Sequence, residues 1–493
     1  MTTAEQPNAP YLDAVVNYAF RGAARYHTPG HKGGAGADPA LVKAIGIDAL
    51  ASDIPLGIHG VDIGPSPIPY NEAERLAAEA FGAARSFFLT NGATQGNHTL
   101  CLALAPLGTR IVAQRNSHAS IVDGLVLSGG IPSFVAPEYD ETLGITHCVT
   151  PAALAQALDA APDAKAAFIV SPTYFGMAAD IAGLAEAAHA RGVPLIVDQS
   201  WGPHFGFNRN LPPTALSQGA DVMLTSTHKI AGALTQAAML HISGSGRVDI
   251  GAVARALRLL RSTSPSSLLM ASLDGARRQL AMHGEQLLHE TLVAIRAASE
   301  KLRTIEGIQL VDDSLVGTMG VAGYDPLRIV LDVRHTGRTG YEIADELRRK
   351  YDVHVELPLH ATIVLVIGLG ESAARLTRVA SDVEEVVKRL WEPGDTPLIV
   401  PPAASLGYEV AIPPREAFLG VAEQVRVEDA PGRISCESIA SYPPGIPALL
   451  PGERIVADTI AYLREIADGG GKLHGASDPR FNTINVLANQ PGV

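Results

Sequence analysis

The sequence predicts an α/β protein, with a large domain on a mainly parallel sheet and a smaller C-terminal α+β domain. Three observations predict it. Short β-branched runs alternate with Ala-rich helical stretches from about residue 71 to 245. Those runs are apolar throughout rather than alternating, as expected of strands covered on both faces. Beyond about residue 305 the pattern changes to strand, helix, strand, strand at close spacing.

Residues 71–83, NEAERLAAEAFGA, set Ala73, Leu76, Ala77 and Phe81 near helical spacing, with the charges on the other face. This helix leads into a strand at Ser86-Phe87-Phe88-Leu89-Thr90, then Asn91-Gly92-Ala93-Thr94-Gln95-Gly96, then a helical run to about Leu107. RIVAQ (110–114), PSFVA (132–136), AAFIVS (166–171), PLIVDQ (194–199) and DVMLTS (221–226) read as strands, and AAMLHIS (237–243) fits an extra one. A helix is predicted over 283–304, because Leu288, Leu292 and Ile295 follow i, i+4, i+7. Strands at 328–334, 353–357 and 362–368 and a helix at 339–352 make the second domain. Residues 393–404 are Pro-rich and read as a linker, and the prolines of 441–455 forbid regular helix and favour an extended path. The expected organisation is an N-terminal segment (1–70) covering the active site or a subunit interface, a large domain (71–305), a small α+β domain (306–392) and a C-terminal segment (393–493).

Composition narrows the function. The 493 residues suit two or three domains with a substantial core, and 47% hydrophobic content excludes a disordered chain. With 38 Lys+Arg against 51 Asp+Glu the formal charge is −13, which argues against a nucleic-acid or anionic-membrane binder. No run of about 18 apolar residues is present, and the first residues lack the basic stretch and apolar block of a signal peptide. Cys101, Cys148 and Cys436 are scattered thiols without CxxC spacing, so neither a disulfide framework nor a zinc site is expected, and a reducing cytoplasm is.

Ligand groups in parallel sheets gather at the carboxyl ends of strands. Three strand ends carry distinctive polar residues: Ser171-Pro172-Thr173-Tyr174, Asp198, and Ser226-Thr227-His228-Lys229. Alone, a strand-end Asp commonly caps a helix and a lone lysine is commonly solvated. Together, in this order and flanked by hydroxyls and His228, they suit one job: a lysine that forms an imine with an aldehyde cofactor, and an Asp that keeps the cofactor's pyridine nitrogen protonated. The phosphate end of such a cofactor needs backbone N–H groups at a helix N-terminus, and Asn91–Asn97 fits, although an ordinary Gly-rich turn reads the same way. There is no GxxxxGK[ST] and no GxGxxG, so nucleotide readings lose ground. His118, after the 110–114 strand, could stack on a ring or relay protons; a structural histidine would look no different. Tyr26-His27-Thr28-Pro29-Gly30-His31-Lys32 is either an ordered loop or a cover over an active site, and no acidic residue or cysteine beside it completes a metal site.

These blocks, with Arg115-Asn116-Ser117-His118 and Tyr442-Pro443-Pro444-Gly445-Ile446-Pro447, resemble the bacterial ornithine/lysine/arginine decarboxylases in its short form, over about residues 20 to 455. The resemblance implies the PLP-dependent transferase-like fold (fold type I), pyridoxal 5'-phosphate as cofactor, and at least a homodimer. It implies Lys229 as the lysine bonded to the cofactor, Asp198 as the pyridine partner and His118 stacked on the ring. Ala93, Thr94, Gln95, Ser226 and His228 would hold the phosphate, and His228 or Lys229 would supply a proton to Cα. Glu356, His31 and Lys32 are the expected substrate-side groups, and Ser264 and Ser266 resemble a stretch near the phosphate. The chain departs from the family at Gln199-Ser200-Trp201, where Ser200 replaces an alanine expected against the ring's other face, and at Ala93 and Gln95, which are often Thr. The expected reaction is decarboxylation of arginine, lysine or ornithine to an amine of the polyamine class and CO2. Transamination, an oxidation, or a non-catalytic binding protein on the same fold remain as alternatives.

Overall fold

The computed structural model describes residues 4–390, 409–442, 446–468 and 472–488. The Pro-rich stretch at 393–404 and the middle of the Pro-Pro-Gly block therefore lie outside the described residues. The chain divides into two units. The first comprises Met1–Gly96, Val197–Thr291 and Gly368–Gly370; the second comprises Asn97–Ile196, Leu292–Ile367 and Glu371–Val493.

Seven strands carry the large α/β region: β1 (Arg85–Leu89), β2 (Arg110–Gln114), β3 (Ile131–Val135), β4 (Ala167–Val170), β5 (Leu195–Asp198), β6 (Val222–Thr225) and β7 (Ala238–Ile242). In the first unit β7 lies between β1 and β6 and runs antiparallel to both, and β6 neighbours β5. The extra strand expected at 237–243 is thus an interior one, which explains why all five of its residues are buried. In the second unit β2 pairs in parallel with β3 and with β4, as continuous apolar runs require.

The helix Pro69–Phe81 buries Ala73, Leu76, Ala77 and Phe81, the face read from the sequence, and stops at Gly82, whose φ of 69° is left-handed. Glu74 on the same face is buried too. Its carboxylate is satisfied by the Phe88 N–H at 3.0 Å, the Tyr70 hydroxyl at 2.7 Å and Arg85 at 2.5 Å. The helix expected over 283–304 runs from Ser267 to Leu302. Leu288, Leu292 and Ile295 are buried as predicted. The earlier start escapes a search for apolar periodicity because its buried face carries charges. Asp274 and Arg277 are fully buried and paired at 2.5 Å. Asp274 Oδ2 accepts the N–H groups of Tyr11 and Leu12, so it caps the Pro10–Phe20 helix, whose own Ala9 has no side chain to do so.

In the second unit β8 (Gln309–Val311), β9 (Arg328–Asp332), β10 (Leu357–Pro358) and β11 (Thr362–Val366) form an antiparallel sheet ordered β8-β9-β11-β10, with helices at Gly340–Tyr351 and Ala373–Leu390. The strand predicted at 353–357 is reduced to Leu357–Pro358, since Val353, His354, Val355 and Glu356 remain partly or fully exposed. Further on, Ala422–Arg426 pairs with Thr483–Leu487, and Ile439–Tyr442 pairs antiparallel with both Ile446–Leu449 and Lys472–His474. The prolines of 441–455 thus flank strands, not a helix.

Candidate active site

Lys229, Asp198, Ser200, Ser226, His228 and the Ala93–Gln95 turn all belong to the first unit. Asp198 ends β5 and is buried. Its Oδ1 accepts the backbone N–H of Ser200 at 3.0 Å and, in a shorter contact, the Ser200 hydroxyl. The hydroxyl that replaces the family's alanine is therefore bonded to the carboxylate. Gln199 is bound elsewhere: its Nε2 donates to Gly202 O (2.7 Å) and its Oε1 accepts Ala215 N–H (2.8 Å). Just past Asp198, the Gln199 N–H reaches Leu224 O of β6 at 2.8 Å, which ties the two strand ends together.

Beyond β6, Ser226 opens a short helix, Thr227–Ile230, that carries His228 and Lys229. The Lys229 ammonium lies 3.7 Å from the centroid of the buried Trp201 ring, a cation–π contact. Sequence reasoning noted Trp201 only as a departure. The signal that could have singled it out is an indole three residues past a strand-end carboxylate. His228 Nδ1 donates to Ala237 O at 2.9 Å, which leaves Nε2 as an acceptor while the ring is neutral. Burial, with the Lys229 charge adding to it, holds this imidazole below its ordinary range, so the neutral form is the resting one.

The phosphate-type turn has the geometry a Gly-rich helix start requires. Gly92 has φ 69°, and its N–H donates to Gln236 O at 2.8 Å. Gly96 packs this helix directly onto the strands: a β-carbon there would lie 3.1 Å from Leu89 Cδ1 of β1 and closer still to Leu224 of β6. Thr227 Oγ1 is buried at the neighbouring strand end without a hydrogen-bond partner. A helix N-terminus, hydroxyls, a lysine and a buried carboxylate form a donor set that fits a phosphorylated pyridine aldehyde.

Other predicted groups are engaged locally. In the first unit, His31 Nε2 meets Asp53 Oδ2 at 3.1 Å, Lys32 Nζ donates to His27 O, Ser266 Oγ accepts the Leu269 N–H, and Ser264 is exposed. His118 and Glu356 belong to the second unit. His118 caps the helix Ala119–Ser128, its Nδ1 accepting the Ser120 N–H at 3.2 Å. Glu356 is exposed, and its charge bears on the buried Arg328, which pairs with Asp325 at 3.3 Å. In the Ser171–Tyr174 block Ser171 Oγ accepts the Ala179 N–H and Thr173 Oγ1 those of Phe175 and Met177, so it shapes a turn. Burial pushes the Cys101 and Cys148 thiols up to about 12, which removes them as nucleophiles. Among the described residues no helix is long and apolar enough to cross a membrane.

Comparison with known proteins places this geometry. Residues 9–375 match the model for the Orn/Lys/Arg decarboxylase major domain, and residues 407–478 match that for its C-terminal domain. Arginine decarboxylases of Halalkalibacterium halodurans and Bacillus subtilis are each 36% identical, with 99% of both chains covered. Among solved structures, lysine decarboxylase A from Pseudomonas aeruginosa superposes with a TM-score of 0.80 at 22% identity, covering 97% of this chain and 80% of that one. The Francisella novicida lysine decarboxylase gives 0.79 at 20%, covering 97% and 81%. The fold is that of the PLP fold type I enzymes, with a separate C-terminal domain. This chain belongs to the Orn/Lys/Arg decarboxylase family, and it is an amino-acid decarboxylase.

Proposed function

We propose that this enzyme uses pyridoxal 5'-phosphate to decarboxylate arginine. The observation that carries the cofactor assignment is the pairing of Lys229 and Asp198 at two bonded strand ends, with Trp201 against the lysine. Support for arginine over lysine or ornithine comes from relatives of 36% identity over essentially the whole chain that are named arginine decarboxylases.

When bound, the cofactor supplies an aldehyde for the lysine amine and a protonated ring that draws off the electrons released as CO2 leaves. The chain's own residues do the rest. The N–H groups of Ala93–Gln95, with Ser226, hold the phosphate at the positive end of the Gly92–Leu104 helix. Asp198, held in place by Ser200, would hold the ring-nitrogen proton. His228 becomes a phosphate donor at Nε2 only when protonated, a state that a phosphate dianion favours. His118 would stack on the ring, and Glu356, His31 and Lys32 would serve the substrate side, Glu356 by pairing with the cationic end. Lys229 Nζ would deliver to Cα the proton that takes the place of the departing carboxylate. Trp201 would hold the lysine side chain in place. The protein acts in the cytoplasm as at least a homodimer, which light scattering after gel filtration checks.

The test is product analysis. Wild type with cofactor and arginine should yield CO2 and the corresponding amine in equal amounts, with lysine and ornithine much slower. Lys229→Ala should lose both the visible absorption band of the lysine-bound cofactor and turnover. A keto acid in place of CO2 would replace this reading with transamination, and a colourless, inactive wild type would end it.

A further inference from the structure

Two residues of blocks singled out in the sequence, Arg115 and Pro447, have no chemistry of their own in the reading above, yet the second unit joins them. Arg115 follows β2. Its Nη1 donates to Pro447 O at 2.7 Å, and its Nη2 donates to Ala448 O at 3.2 Å and to Glu453 Oε2 at 3.0 Å. The two charged side chains are 11% and 3% exposed, so this pair is worth far more to geometry than a surface bridge. Glu453 Oε2 also accepts the Leu450 N–H at 2.9 Å, which closes the turn that presents the carbonyls. Three residues after Arg115, His118 caps the helix Ala119–Ser128. The far end of that helix is held from the same C-terminal region, where Arg415 Nη1 donates to Val126 O and Leu127 O, both at 2.8 Å.

The cap also sets the imidazole's proton. Nδ1 accepts the Ser120 N–H and lies 2.9 Å from Ser120 Oγ, and that hydroxyl accepts from Asn97 Nδ2 at 2.9 Å, so its own proton points to Nδ1. With Nδ1 accepting, the ring N–H of the neutral tautomer is on Nε2. A ring committed in this way can shift only with its loop and helix, and both are gripped by two arginine contacts to the C-terminal domain.

We propose that the C-terminal domain positions His118, with Arg115 and Arg415 as the positioning residues. The catalytic meaning of this rests on the reading of His118 as the group against the cofactor ring. A lysine at 115 keeps the charge opposite Glu453 but loses the fork that reaches two carbonyls and a carboxylate together. Removal of Arg415 frees only the helix end.

Full-length wild type, Arg115→Lys, Arg415→Gln, His118→Ala and the double variant Arg115→Lys/His118→Ala test it. Without cofactor, hydrogen exchange over residues 116–128 should quicken in Arg115→Lys and Arg415→Gln, while residues 222–242 are unchanged. With cofactor, Arg115→Lys should lower kcat about tenfold, with a weakened circular dichroism of the visible band and little change in KM. Arg415→Gln should show a smaller loss of the same kind. In the His118→Ala background the Arg115→Lys change should add nothing. Unchanged exchange over 116–128, or an Arg115→Lys loss that persists in full without His118, would overturn the proposal. A wild type with no visible band would instead overturn the cofactor assignment.

Discussion

Gly96→Ala separates two opposing effects at the start of the helix proposed to bind the cofactor phosphate. On propensity alone the change should stabilise the Gly92–Leu104 helix by about 1 kcal/mol, since alanine is the better helix former. Packing opposes it. The new methyl would lie 3.1 Å from Leu89 Cδ1, 3.0 Å from Leu224 Cδ2 and nearer still to Leu224 Cδ1, against an ordinary carbon–carbon separation of roughly 3.5–4.0 Å. Leu89 and Leu224 are fully buried, so neither can swing into solvent. Overpacking costs about 1–3 kcal/mol, and with two buried leucines this close the site lies at the upper end, about 2–3 kcal/mol, the helix giving by retreating from β1 and β6. Packing therefore wins. Gly96→Ala should be destabilised by about 1–2 kcal/mol in urea unfolding. A retreat of about 1 Å carries the N–H groups of Ala93–Gln95 with it, so cofactor affinity and kcat should fall, by up to about a hundredfold in kcat. Leu224→Ala alone leaves a cavity costing about 2–5 kcal/mol, but the double variant should lose less than the sum, because each change fills or vacates the same space. A Gly96→Ala protein as stable as wild type, with native cofactor affinity, would refute the reasoning and mean that the helix does not bear on these two strands.

Two further outcomes are expected. Ser200→Ala removes the hydroxyl that donates to Asp198 Oδ1, so the carboxylate should be held less firmly and cofactor affinity should fall several-fold while the fold persists; an unchanged affinity would show that the hydroxyl does not hold the carboxylate in place. His241 on β7 is fully buried, bonded to Ser86 Oγ at 2.7 Å and stacked on Phe81, and burial pushes its imidazole down to about 3 from 6.5. Its depressed value means that stability is whole above pH 6.5 and falls by about 1.4 kcal/mol per pH unit below it, because only the unfolded chain takes the proton there. Urea midpoints for wild type should therefore drop more steeply than for His241→Gln between about pH 6.5 and 5, and equal slopes would contradict the buried neutral ring.

The placement of the candidate cofactor groups on the fold was legible because it is local in sequence: a carboxylate ending one strand, a lysine after another, a glycine turn before a helix. So were the helix face of Ala73, Leu76, Ala77 and Phe81 and the extra strand at 238–242, since hydrophobic period is a local property. The early start of the Ser267–Leu302 helix was not, because a fully buried Asp274–Arg277 pair reads as surface in any hydropathy pattern.

The sequence by itself determined the class of chemistry and the order of the strands' contents, because residue types and short spacings carry that information. Only the tertiary structure decided which partners each polar group takes: Ser200 on Asp198, the Trp201 ring on Lys229, Asp274 as the cap of a distant helix, and Arg115 across 338 residues to Glu453. Such pairings exist because a buried polar group must find its hydrogen bond wherever the folded chain brings a donor or acceptor, however far away that lies in sequence.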